Sequence, residues 1–185
     1  MLNIAIISGS IRIGRQSHKV ALYFHNYITE HQLANSEIID LKEYNFPVFE
    51  ERLSFTANPT DAQKLFSEKI SKADAVIVVS PEYNSGYPAS IKNAIDLLYN
   101  EWYHKPIGIA TASSGGFGGV NALALLQNIF LKVRAVPIAV PFPVPVVQNS
   151  FDDNGVPTNK EATDKRAATF LKELLWYAEA FNKMK

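Results

Sequence analysis

Three short stretches hold most of the chain's capacity for chemistry: GSIRIGRQS at residues 9–17, SPEYNSGYPASIKNAID at 80–96 and SSGGFGG at 113–119. In the first, an apolar run ends at Gly9 and a helical pattern begins near Ser17. Backbone N–H groups and the positive end of a helix can converge there on an anion. Ser10 and Ser17 add hydroxyl donors, and the guanidinium of Arg12 or Arg15 can grip phosphate oxygens. The loop begins as a P-loop, GxxxxGK[ST], with Gly9 and Gly14 in place, but Arg15 and Gln16 stand where the lysine and the magnesium-binding hydroxyl belong. It fails GxGxxG as well, because Ile11 occupies the second glycine position. What remains is either a hydroxyl-lined cradle for one phosphate or an ordinary strand-to-helix turn.

The second stretch combines turn residues, Asn84-Ser85-Gly86, with stiff ends at Pro81 and Pro88 and two flat side chains, Tyr83 and Tyr87. A rigid loop with exposed N–H groups suits a planar heteroaromatic ligand, although packing aromatics around a plain turn give the same pattern. The third stretch has four glycines, which permit close backbone approach. It could cradle the other side of the same ligand or serve only as a flexible connector.

Other chemistries find little support. There is no cysteine, which removes disulfides, thiolate nucleophiles and cysteine-held metal centres. His18, His25, His31 and His104 show no ligand spacing with acids, and a surface position suits the helical ones better. No GxSxG elbow surrounds Ser80, Ser85, Ser113 or Ser114. Ser8 and Gly9 stand where a phospho-receiver needs paired acids.

The elements that must position these loops follow from hydrophobic period. Continuous apolar runs at residues 2–7, 75–79, 107–112 and 136–140, with a shorter one at 36–41, predict strands covered on both faces. Val20, Phe24, Tyr27 and Ile28 predict a helix from about Ser17. Thr60 with Gln63, and Thr158 with Glu161, predict capping boxes that open two more helices. Further helices are predicted over 88–100, with Pro88 in the first turn, and over 120–135. The order βαβαβαβαβα implies a doubly wound α/β domain with five parallel strands. In such sheets ligands collect beyond the carboxyl ends of the strands, where all three loops fall. Residues 44–59 and 141–157 are long for connectors, and Phe46, Phe49, Phe142 and Phe151 in them are candidates for an interface and a pocket rim or, equally, for the core.

Composition bounds the partners. At 185 residues, with 18 basic and 18 acidic side chains, the chain can bury one core and has no global field for nucleic acid or an anionic membrane. No apolar run approaches a spanning length and no leader pattern opens the chain, which points to the cytoplasm.

Taken together, GSIRIGRQS at 9–17, PEYNSGYPASIKNAID at 81–96 and SSGG at 113–116 resemble the NADPH-dependent FMN reductase family of flavodoxin-like proteins, which includes azo-dye, quinone and chromate reductases. The resemblance spans about residues 3 to 180 and implies a flavodoxin-like domain over 1–185 with strand order 2-1-3-4-5. It further implies that Ser10, Arg12, Gln16 and Ser17 hold the FMN phosphate. Pro81, Glu82, Tyr83 and Asn84 would lie along the isoalloxazine ring, with backbone N–H groups stabilising the reduced flavin. Ser113, Gly115 and Gly116 would close on the flavin. Family members vary at position 15, so Arg15 is left open between the FMN phosphate, the 2′-phosphate of NADPH and solvent. Lys92, Asn93 and Asp96 are scaffold in this reading. The implied activity passes hydride from NADPH or NADH through FMN to a small acceptor, with no catalytic side chain. A flavodoxin-type electron carrier and a non-catalytic FMN-binding sensor are the alternatives. Family members are dimers or tetramers, which makes a homodimer or homotetramer the expected state.

Overall fold

The computed structural model describes residues 1–184. Its strands are β1 (Asn3–Ser8), β2 (Asn35–Asp40), β3 (Ala75–Pro81), β4 (Pro106–Ala112), β5 (Val136–Pro137) and β6 (Phe142–Val144). The helices are α1 (Ser17–Glu30), α2 (Leu41–Tyr44), α3 (Asp61–Lys72), α4 (Ala89–Leu97), α5 (Val120–Lys132) and α6 (Lys160–Asn182). All strand pairs are parallel, in the order β2-β1-β3-β4-β5, and β6 also pairs with β4.

Because successive residues of a strand point to opposite faces, each central strand feeds two cores. Ile4, Ile6, Ile77 and Val79 pack with Phe24 of α1 and Phe170 and Leu174 of α6. Ala5, Ile7, Val76 and Val78 pack on the other side with Phe66 of α3, Ile91 and Ile95 of α4, and Phe130 of α5. Every residue of β3 and β4 is buried, which is why these strands show no polar alternation.

The expected elements are present, with local corrections. The strand predicted over 136–140 is interrupted: two residues pair with Pro106 and Ile107, and pairing resumes at Phe142. Pro137, Pro141, Pro143 and Pro145 lack N–H groups, so this margin is confined to short edge pieces and offers little to a further strand. The Thr60–Gln63 capping box is formed in both directions. The expected Thr158–Glu161 box is not, because Asn159 caps α6 through the Ala162 N–H at 3.1 Å while the Thr158 hydroxyl donates to the Asn149 carbonyl at 2.8 Å. Pro88 stands outside α4 in an extended conformation, and α4 ends at Leu97. The Ile95 carbonyl accepts the Leu98 N–H at 3.3 Å at this helix end and also the buried indole N–H of Trp102 at 3.1 Å. Among the described residues no helix is long and apolar enough to cross a membrane.

Candidate functional site

The loops after β1, β3 and β4 meet at one sheet edge because those strands are neighbours. The first is fastened from two sides: the Gly9 N–H donates to the Val79 carbonyl at 3.0 Å, and the Ser90 hydroxyl of α4 donates to the Gly9 carbonyl at 2.6 Å. A Cβ on Gly9 would lie 2.2 Å from Ile91 Cδ1 and 2.9 Å from the Val79 oxygen, so this approach requires glycine. Ser10 is buried, with its Oγ 2.6 Å from Tyr83 Oη. One hydroxyl contact thus joins the loop after β1 to the PEYN turn.

Ser17, the first residue of α1, is buried, and its Oγ has no hydrogen-bond partner among the described residues. An orphaned buried hydroxyl at a helix N-terminus calls for an acceptor such as a phosphate oxygen, and this fits FMN in the cradle. Arg12 is exposed and its guanidinium has no partner among the described residues. The Gln16 amide instead donates back to the Gly14 carbonyl at 3.1 Å.

Beyond Pro81 the chain makes a two-residue reversal: Tyr83 N–H donates to Gly86 O at 2.7 Å and Gly86 N–H to Tyr83 O at 3.0 Å. Asn84 and Ser85 carry the positive φ values, 50° and 63°, that such a tight turn requires. Gly86 itself has no positive φ, and among the described residues a Cβ there would meet only Tyr83 O at 3.6 Å. Gly86→Ala should therefore keep thermal stability and FMN affinity close to the parent's, as a melting curve and a flavin titration would show. Glu82 has a structural duty that residue type alone does not reveal. Its carboxylate accepts the N–H groups of Asn121 and Ala122 at 2.9 and 3.1 Å, capping α5. Tyr87 is half-buried against the core under α4 and α5.

In the third loop, Ser113 Oγ donates to the Gly115 carbonyl at 3.0 Å, and the N–H groups of Val147 and Val146 hold the carbonyls of Ser113 and Gly115 at 3.0 and 3.1 Å. Gly115 and Gly116 face open space, while the conformational demand falls on Gly118 and Gly119, with φ of 66° and 84°. Between them stands Phe117, 83% exposed.

Beneath the first loop lies a charged cluster that inspection of the sequence missed. Arg15 forms a two-point pair with the Asp40 carboxylate, and its guanidinium also donates to the Ser10 carbonyl at 2.7 Å. This fills the role left open for Arg15. Burial by itself raises the Asp40 pKa, but the Arg15 hydrogen bonds and charge and the Lys42 N–H hold it below the usual carboxylate range. His18, expected at the surface, is half-buried with Nδ1 2.9 Å from Ser8 Oγ and 3.8 Å from Asp40. Burial first, then the Arg15 charge, lower its pKa and favour the neutral ring. The available signal was strand order: with β1 beside β2, Ser8 lies opposite Asp40, so an acid ending β2 sits under the loop that follows β1.

The segment after α2 borders a cavity of about 460 Å³ between Ile11, Phe46, Phe49, Ser90 and Asn93. Asn93 fixes it by accepting the Phe49 N–H at 2.5 Å and donating to the Pro47 carbonyl at 2.6 Å, and Lys92 pairs with Asp96 one turn on. Of the two places open to Phe142 and Phe151, rim or core, the structure takes the core: they are buried, at 1% and 5% exposure, with Tyr23 and Phe24. Among the described residues no His, Asp or Glu cluster could hold a metal ion.

The family model for NADPH-dependent FMN reductase matches residues 2–146. The NAD(P)H-dependent FMN reductase LOT6 of Saccharomyces cerevisiae is 31% identical over 159 residues, covering 77% of this chain and 82% of its own length. A quinone reductase of Pseudomonas putida is 32% identical over 162 residues, covering 83% of each chain. In fold, the flavoenzyme NAD(P)H:(acceptor) oxidoreductase FerB of Paracoccus denitrificans superposes with a TM-score of 0.79 at 24% identity, over 97% of this chain and 98% of that one.

Proposed function

This chain belongs to the NADPH-dependent FMN reductase family as an FMN-dependent NAD(P)H oxidoreductase, and we propose that its three clustered loops form the flavin site. The observation that carries this assignment is the Ser10–Tyr83 contact beside the unpartnered Ser17 hydroxyl, which sets an anion cradle against a rigid turn. Ser10, Arg12 and Ser17 bind the phosphate together with the N–H groups that open α1. Gln16 shapes the loop through Gly14. Pro81, Tyr83 and Asn84 border the ring, where the N–H groups of Asn84 and Ser85 have no acceptor among the described residues. Glu82 acts by fixing α5, and Ser113, Gly115 and Gly116 close the opposite side.

FMN supplies the hydride chemistry when bound, and the protein binds and orients it. No acid, base or nucleophile is required of a side chain. The acceptors of this reading are small oxidants such as quinones, azo compounds, free flavin or metal oxyanions. Residues 1–185 act as one FMN-binding domain in the cytoplasm. Val48 and Phe55, 85% and 70% exposed on the rim segment, favour a homodimer or homotetramer, which light scattering would measure.

The purified protein should be yellow, or become so with added FMN, and should bleach on adding NADPH without oxygen. Steady NAD(P)H oxidation should follow with a quinone, azo or ferric acceptor. A flavin-loaded protein that NAD(P)H cannot reduce would be a carrier instead. A protein that binds no FMN at micromolar concentration would overturn the assignment.

A further inference from the structure

We propose that Asp40 is a positioning residue for the phosphate loop, acting through Arg15; this rests on the flavin-site assignment above. Arg15 lies near the end of the loop and Ser10 at its beginning, yet one guanidinium holds both. It donates to the Ser10 carbonyl at 2.7 Å while its two terminal nitrogens engage the two Asp40 oxygens. The side chains of Arg15 and Asp40 are only 13% and 8% exposed. Fixing the Ser10 carbonyl fixes the orientation of its peptide, and the same residue's hydroxyl meets Tyr83.

The fork of Arg15 is thereby committed inside the protein, whereas the guanidinium of Arg12, three residues earlier, is exposed and has no partner among the described residues. The loop thus divides its two cations, one to hold shape and one free for the ligand. Such division lowers the cost of binding, because a loop already held in its bound shape loses less freedom when phosphate arrives. Asp40 also accepts the Lys42 N–H at 3.0 Å and caps α2, so the same carboxylate anchors the start of the rim segment. Without Asp40, Arg15 would keep a nearly buried charge with no counter-ion and would be driven toward solvent, releasing Ser10.

The test compares FMN with riboflavin, which has the ring but no phosphate, by fluorescence titration of the full-length apoprotein. Asp40→Asn should weaken FMN about tenfold, the effect of misplacing one charged hydrogen bond, and leave riboflavin unchanged. Should Asp40→Asn fail to fold, the double variant Arg15→Met/Asp40→Leu removes both charges together, avoids an unpaired one, and should give the same selective loss. Unchanged FMN affinity in the folded variant overturns the proposal. Equal loss of FMN and riboflavin overturns it too, because that is the signature of general structural damage. Failure of the parent chain to bind FMN, seen before any substitution is made, would remove the flavin-site assignment and the role of Asp40 with it.

Discussion

Gly9→Val should cost about 1–3 kcal/mol of folding stability and abolish FMN retention. The added Cβ would fall 2.2 and 2.4 Å from the Ile91 side chain of α4 and 2.9 Å from the Val79 oxygen. Ile91 can change rotamer, but it is itself 1% exposed in a packed core, and the Val79 oxygen belongs to the central strand. The loop must therefore rise. Rising breaks the Gly9–Val79 and Ser90–Gly9 hydrogen bonds and moves Ser10 away from Tyr83. Denaturant unfolding and flavin content after desalting measure the two effects. A variant with normal unfolding and a full complement of FMN would show that the loop does not need this close approach.

Arg12→Ala should weaken FMN binding by about 1.5–3 kcal/mol, roughly 10- to 150-fold in Kd, while leaving the unfolding transition unchanged. The separation of the two effects follows from geometry. The Arg12 guanidinium is exposed and bonds to nothing among the described residues, and the backbone bonds of this position, its N–H to the Ser10 hydroxyl and its carbonyl from the Arg15 N–H, survive a change to alanine. Arg15, by contrast, is built into the structure on both sides. An equilibrium titration with FMN decides the first part and a melting curve the second. FMN affinity equal to the parent's would remove Arg12 from the site.

The two arginines show how far residue type reaches. Both stand in one nine-residue stretch and both suit phosphate, and nothing in the local pattern separates them. Their roles diverge because Asp40, distant in the chain, is delivered opposite Ser8 by the pairing of β1 with β2. The same holds for Glu82, a plausible ring neighbour by position, whose carboxylate is drawn to the unsatisfied N–H groups of α5. Phe142 and Phe151 were legible as large apolar residues in a long loop, suited to rim and core alike. Their burial depends on α1 and α6 arriving on the same face.

Periodicity and local chemistry make the architecture legible in the sequence itself. Apolar runs without alternation require strands covered twice, their alternation with helical patterns requires crossovers, and a glycine and two serines at a strand-to-helix junction require an anion or an idle turn. These are short-range properties, set by side-chain spacing and backbone freedom within a few residues. Whether three loops met at one sheet edge, which arginine was left exposed, and which aromatics faced inward depended on partners tens of residues away. Hydrogen bonding and burial at such separations are satisfied only once the sheet order is in place, and the Arg15–Asp40 pair is the clearest case, since neither residue has a local reason to choose the other.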